Sequence, residues 1–209
     1  MGESNGSHDD EMLLARARAG EEEAWRVMVE RLYPGILKIV RNHLRRVADH
    51  EDVVQEVLLK AFLKLDTYRS EQPLEHWIAR ISVTTCIDWL RKIKARPMVV
   101  LSDLSEAERA LVTSRVRSEP VDEEYSEENR LAMRALLDKL ISVLKPNQQI
   151  VIRMLDLEQR TVKEVTGLTG WGESKVKVTA MRARRKLEEL LQELEISTSA
   201  AVYNSERIQ

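Results

Sequence analysis

Apolar residues recur along this chain at spacings of three and four, in one stretch after another, and seldom alternate with polar ones. That period belongs to amphipathic helices and not to strands. Asp9 or Asp10 is placed to cap a first helix running to about Ala19 and ended by Gly20, and residues 1–8 read as disordered. A second helix opens near Glu21, with Trp25, Val29 and Leu32 on its apolar face. Pro34 is expected to kink or restart it, because proline offers no helical N–H. Ile36, Leu37, Val40 and Leu44 carry the pattern onward. Residues 49–65 form a third, strongly periodic helix. Val54, Val57, Leu58, Ala61 and Leu65 face inward, leaving Asp52, Gln55, Glu56 and Leu59 outside. A polar loop over 67–73 leads to a fourth helix from Leu74 to about Lys94, with Leu74, Trp77, Ile78, Ile81 and Leu90 as core. Arg80, Arg91, Lys92, Lys94 and Arg96 give it a basic edge, and it stops by Pro97.

Residues 97–130 change character. Nine acids face four arginines, and few large apolar residues occur past Val112. This reads as a flexible acidic linker with at most a short helix around 106–112. Beyond it, Leu136, Leu137, Leu140 and Leu144 mark one helix, and Pro146 interrupts. Asn147 opens another through Ile150, Val151, Met154 and Leu155.

The stretch from Thr161 to Leu187 reads as a short helix, a glycine-containing turn and a longer basic helix. Thr161 and Glu164 have capping-box spacing. Gly167, Gly170 and Gly172 punctuate the turn, and Glu173 and Ser174 open the second helix. Val176, Ala180, Ala183 and Leu187 form a narrow apolar stripe for docking. The other face presents Lys175, Lys177, Val178, Met181, Arg182 and Arg185. Small residues on one side and cations on the other suit a helix that enters a major groove. A solvated amphipathic helix in a bundle would show the same stripe. A charged extension to about Leu194 and a frayed tail over 197–209 complete the chain.

The expected fold is therefore all-α: two small helical domains, 9–96 and 131–196, joined by a flexible acidic linker over 97–130, the second a helix-turn-helix domain. Composition agrees, with 33% charged residues, seven Gly, five Pro and one Phe in 209 residues. The net charge of −2 argues neither for nor against nucleic acid; the asymmetry along the chain carries that information. The single Cys86 leaves no internal disulfide and reads as a core filler, and the four histidines lack metal-ligand spacing. No apolar run approaches a membrane span and the acidic N-terminus is not a signal peptide, so the cytoplasm is expected. No phosphate-cradling loop, ligand cluster or nucleophile–base pairing is present. No enzyme, cofactor, metal or catalytic residue is expected.

The order of these motifs resembles the extracytoplasmic-function sigma factors of bacterial RNA polymerase. The resemblance rests on EEEAWRVMVERLYPGILKIVRNHL, DHEDVVQEVLLKAFLKL and LEHWIARISVTTCIDWLRK in the first half. In the second it rests on LKPNQQIVIRMLDLE and TVKEVTGLTGWGESKVKVTAMRARRKLEELL. It implies that Asp52, Gln55, Glu56 and Leu59 meet the clamp helices of the largest polymerase subunit. It implies that the 67–73 loop and the fourth helix melt the −10 element, with Tyr68 and Arg69 beside an extruded base. Arg80, Arg91 and Lys92 would hold phosphates, and Thr84 belongs to the same surface. Lys177, Val178, Met181 and Arg182 would face −35 base edges, while Lys175 and Arg185 would meet phosphates. The chain departs from the family where Val83–Thr84 replaces the usual Arg–Asn and Gly172 replaces the usual serine cap.

Core RNA polymerase and promoter DNA are the implied partners, with an anti-sigma factor as a third, and no membrane insertion is implied. The linker, with Asp122, Glu123 and Glu124, would lie in the polymerase's RNA-exit path. The competing reading is a stand-alone helix-turn-helix regulator. Such a protein has no need of DVVQEVLL or of a basic fourth helix.

Overall fold

A computed structural model describes residues 4–93, 103–116 and 126–206. Among them the chain forms nine helices: α1 (Ser4–Arg18), α2 (Glu22–His43), α3 (His50–Lys64), α4 (Leu74–Lys92), α5 (Glu106–Val116), α6 (Glu127–Val143), α7 (Pro146–Ile152), α8 (Val162–Thr169) and α9 (Glu173–Glu206). No strand occurs among the described residues. The chain divides into two compact units, residues 1–92 with 163–171 and residues 93–162 with 172–209.

In the first unit α2, α3 and α4 pack on one another and α1 packs on α2. Ala24, Met28, Leu32, Ile36 and Val40 recur every fourth residue along α2 and are all buried. The buried line is offset by one residue from the expected Trp25 and Val29, which are only half-buried. Small Ala24 suits close helix approach, while the bulkier indole lies at the margin with its ring 5.1 Å from Phe62 in an edge arrangement. Pro34 does not restart the path: α2 is one helix from Glu22 to His43. Pro34 is exposed, so the carbonyl one turn earlier can turn to water.

Helix α1 begins at Ser4 and not at an Asp9 or Asp10 cap, so residues 4–8 are helical where disorder was expected. Extending a formed helix costs little next to nucleating one. Gly20 ends that segment with φ 84°, the left-handed region where a side chain is strained. Val53 joins Val54, Val57, Ala61 and Leu65 in the core. Leu74, Ile78, Ile81, Val83, Cys86 and Ile87 line α4's inner side, whereas Trp77 and Leu90 are half-buried. Burial pushes the Cys86 thiol up to about 12.

In the second unit α5 packs on α6 and α9, and α7 packs on α9. The stretch expected to be flexible therefore carries a docked helix over Glu106–Val116. Leu104 and Val112 share one apolar cluster with Leu136, Leu140, Leu190 and Leu194. A second cluster joins Ile141, Leu144, Ile152 and Ala183. Helix α6 starts at Glu127, capped by Ser126 Oγ, which accepts the Asn129 N–H at 3.2 Å. Pro146 occupies the first turn of α7, where its missing N–H costs nothing. A π-helical turn, Arg153–Leu157, follows it. Its Arg153, nearly buried, bonds Asp138 of α6 at 2.7 Å.

Helix α9 does not fray after 196 but runs to Glu206. Thr198 is buried there by returning its hydroxyl to the Leu194 carbonyl at 2.8 Å. The acids Asp122, Glu123 and Glu124, and also Lys94 and Arg96, lie outside the described residues.

Candidate functional site

Three surfaces emerge. The first is the outer face of α3, where Asp52, Gln55, Glu56, Leu59 and Leu63 follow at helical spacing. Asp52 and Gln55 are exposed, and Leu59 is 57% exposed. Phe62 and Leu63, 50% and 70% exposed, extend the apolar part by one turn, and Trp25 borders it. Both fall on the Leu59 line at i+3 and i+4, so the period contained them although the sequence reading did not assign them. Glu56 is half-buried and not a free acid. Its carboxylate receives Lys60 at 2.8 Å and Lys92 at 3.4 Å. The hydrogen bond from Lys60 lowers its pKa most, against a smaller rise from burial.

The second surface is the 67–73 loop with the outer side of α4. Tyr68 is turned inward, 7% exposed, its ring 5.3 Å from Trp77. Its hydroxyl donates to the Gln72 carbonyl at 2.5 Å, closing the loop on itself. Arg18 of α1 donates to the Leu65 and Tyr68 carbonyls and ties the loop from behind. Tyr68 thus offers no open ring face in this conformation. A cleft of about 230 Å³ opens beside it, lined among others by Arg69, His76, Trp77 and Arg80. Arg69 and Arg80 are exposed there. Trp77 was expected in the core, because a tryptophan at helical spacing reads first as core, and His76 carried no signal in the sequence.

Further along α4, Thr84 is half-buried and bonds the Arg80 and Ile81 carbonyls at 2.9 and 3.0 Å. Val83 beside it is 1% exposed. Of the two residues that depart from Arg–Asn, Val83 is therefore core and unavailable to a ligand, while Thr84 stays half-buried. Arg91 pairs with Asp88 at 2.9 Å, and Lys92 lies 5.6 Å from the centre of the Trp89 ring.

The third surface is on α9. The docking stripe is buried, with Val176 and Ala183 at 0% and Ala180 at 2% exposure, and Leu187 packs on both apolar clusters. Lys175, Lys177, Val178, Met181, Arg182 and Arg185 are all exposed, Val178 by 40% and Met181 by 60%. Lys177 bonds Glu173 at 3.0 Å and Arg185 reaches Glu189 at 3.5 Å, exposed pairs worth little and easily exchanged. Arg184 is held differently: its Nε and Nη2 donate to the two carboxylate oxygens of Asp156, at 3.1 and 2.6 Å. Of the three turn glycines only Gly170, with φ 71°, is left-handed, and Gly167 lies inside α8. Gly172 precedes α9 and its carbonyl accepts the Val176 N–H at 3.1 Å. No helix among the described residues is long and apolar enough to cross a membrane.

These surfaces define a helical protein with an exposed apolar face on α3 and an exposed, largely basic face on α9. Residues 28–96 match the model of Sigma-70 region 2, and residues 134–187 match that of Sigma-70, region 4. The chain is 26% identical over 187 residues to the ECF RNA polymerase sigma-E factor of Escherichia coli, covering 88% of this chain and 95% of that protein. It is 26% identical over 188 residues to the ECF RNA polymerase sigma factor SigM of Mycobacterium tuberculosis, covering 89% and 87%. The structure of CnrH in complex with the cytosolic domain of CnrY shares the fold, with a TM-score of 0.50 and 20% identity over 87% of this chain and 96% of that one. The chain belongs to the ECF sigma factors.

Proposed function

We propose that this protein binds core RNA polymerase through α3 and directs initiation at promoters that it reads with α9 and melts with α4 and the 67–73 loop. The observation that carries the reading is the exposed apolar face of α3. Leu59, Phe62 and Leu63 stand in the open beside Asp52 and Gln55, on a helix whose inner side is already fully packed. A stand-alone regulator would leave that face without a partner.

On this reading Leu59 is the anchor on the clamp helices and Asp52, Gln55 and Glu56 form its polar border. Val178 and Met181 meet thymine methyls, Lys177 and Arg182 face base edges, and Lys175 and Arg185 meet phosphates. An unstacked −10 base enters the cleft beside Trp77 and Arg69, with Tyr68 as its inner wall. Arg80, Arg91 and Lys92 hold the strand's phosphates, with Thr84 on the same side. The protein acts in the cytoplasm as a binding subunit without chemistry of its own. An anti-sigma factor is expected to hold it inactive, and the CnrH structure that shares its fold was solved with a bound cytosolic domain.

The test is titration of fluorescently labelled protein with core polymerase. Leu59→Asp should cost about 2 kcal/mol, roughly thirtyfold in Kd, with helix content unchanged. The Gln55→Ala/Glu56→Ala variant should also weaken binding. Failure of the unaltered protein to bind core polymerase would refute the reading.

A further inference from the structure

Arg184 is a cation of α9 that the proposed DNA contacts leave out. It stands at i+7 from Lys177 and i+3 from Met181, on the same exposed line of the helix. Met181 is only about 4.5 Å before it along the axis, so an unheld Arg184 would reach phosphates at the edge of the groove. Glu188, one turn further on and exposed, ends the basic stretch of that line.

The guanidinium is occupied instead. Its Nε and Nη2 meet Oδ2 and Oδ1 of Asp156 in a two-pronged fork, at 3.1 and 2.6 Å. Lys177 and Arg185 pair with Glu173 and Glu189, acids one turn away on α9 itself. Those pairs travel with the helix and yield readily to a phosphate. Asp156 belongs to a different element, the π-helical turn after α7. Such a turn is an uncommon interruption of the helical ladder, and this one is fixed from several sides. The Glu158 N–H donates to the Arg153 carbonyl at 2.8 Å, and the Arg160 N–H to the Met154 carbonyl at 2.9 Å. Gln159 Nε2 donates to the Asp156 carbonyl at 2.6 Å, from a residue held in the left-handed region at φ 55°. Arg153 is anchored on Asp138 of α6, and Met154 is fully buried. The carboxylate that takes Arg184 therefore stands on a rigid mount.

Resting on the reading of α9 as the −35 helix, we propose that Asp156 is a positioning residue that holds Arg184 off the DNA backbone and so weakens binding to sequences other than the promoter. Phosphate contacts strengthen binding to any sequence and carry no base information. In a non-specific complex the helix is free to shift until an unheld Arg184 finds a phosphate. In the cognate complex the base contacts of Lys177, Val178, Met181 and Arg182 already fix its seat. Neutralising Arg184 in place thus takes more from the wrong complexes than from the right one.

The experiment measures binding of the full chain, by fluorescence anisotropy, to a scrambled duplex and to the duplex that it selects from a random library when bound to core polymerase. Asp156→Asn frees Arg184 at little cost to the fold, because the paired side chains are 35% and 57% exposed. It should steepen the dependence of log K on log salt for the scrambled duplex by about 0.9, one added phosphate, and tighten that binding at least about threefold at about 50 mM salt. The selected duplex should gain less. Glu188→Gln removes the same charge one turn along without freeing Arg184, so it should move the slope by less than about 0.3. Asp156→Glu keeps a carboxylate and should stay near the unaltered slope. Arg184→Met should leave the slope as it is, and Asp156→Asn/Arg184→Met should return it to the unaltered value. An unchanged slope in Asp156→Asn overturns the proposal, as do equal shifts from Asp156→Asn and Glu188→Gln. A slope lowered by about 0.9 in Arg184→Met also overturns it, because the arginine would then already meet a phosphate; this variant decides the question if Asp156→Asn misfolds. Selection that enriches no sequence would instead count against the −35 reading of α9.

Discussion

Replacing Leu194 with alanine tests the second unit at a position chosen by tertiary packing alone. Leu194 is 4% exposed and sits among Leu104, Val112, Leu136, Leu140 and Leu190, at the end of the charged extension of α9. Truncation removes three carbon groups, worth about 0.8 kcal/mol each in transfer, or roughly 2.4 kcal/mol. The space left between α5, α6 and α9 adds a cavity penalty, and core Leu→Ala changes generally fall between about 2 and 5 kcal/mol. A value near 3 kcal/mol is expected, because a helix near its end can partly settle into the gap. Two residues on, Ile196 is 71% exposed, and Ile196→Ala should stay within about 0.5 kcal/mol.

Native-state hydrogen exchange on the full chain reads both variants. Leu194→Ala should raise the opening equilibrium of α5, α6 and the last turns of α9 by about a hundredfold. The same change should leave α2 and α4 untouched. Equal effects from the two variants, or less than about 1 kcal/mol from Leu194→Ala, would refute the packing of this extension.

Three further outcomes follow from other contacts. Burial alone would raise the Glu108 pKa, but hydrogen bonds from Lys139 and the Ser105 N–H outweigh it and hold the carboxyl below the ordinary range. The stability this gives is fully present above the ordinary carboxylate pKa and is lost as pH falls through the lowered one. Protection of α5 should therefore hold to the lower edge of the carboxylate range and collapse in acid below it, and Glu108→Gln should remove that dependence. Tyr68→Phe deletes the hydrogen bond to the Gln72 carbonyl and should cost about 0.5–1.5 kcal/mol, with faster exchange confined to residues 69–73; unchanged exchange there would show that the loop does not depend on this bond. Cys86, buried and with its thiol pKa near 12, should resist alkylation at pH 8 until the protein unfolds; rapid labelling of folded protein would contradict its place in the core.

Much of this architecture was legible in spacing. Val54, Val57 and Ala61 on α3, and Val176, Ala180 and Ala183 on α9, are buried as their period demands. The six exposed residues of α9 expected to face DNA are exposed. The failures share a physical cause, in that the deciding neighbour is distant in sequence. Nothing near Tyr68 announces that Arg18, fifty residues earlier, will tie its carbonyl and that Trp77 will cover its ring. Acidic composition suggested a solvated stretch around Glu108, but Lys139, thirty-one residues on, turns one of those acids inward. The face of α2 was misjudged because weight went to the large Trp25 over the small Ala24, which the packing prefers. The run of α9 beyond 196 was not legible because Thr198 hides its polarity in its own helix.

The most direct test of the central claim is run-off transcription in a purified system, with core polymerase, this protein and a library of promoter fragments. The account predicts transcripts from a defined set of promoters, absent without the protein and lost with Gln55→Ala/Glu56→Ala. Sequence-specific DNA binding with no transcript from any fragment would contradict it and leave the stand-alone regulator standing.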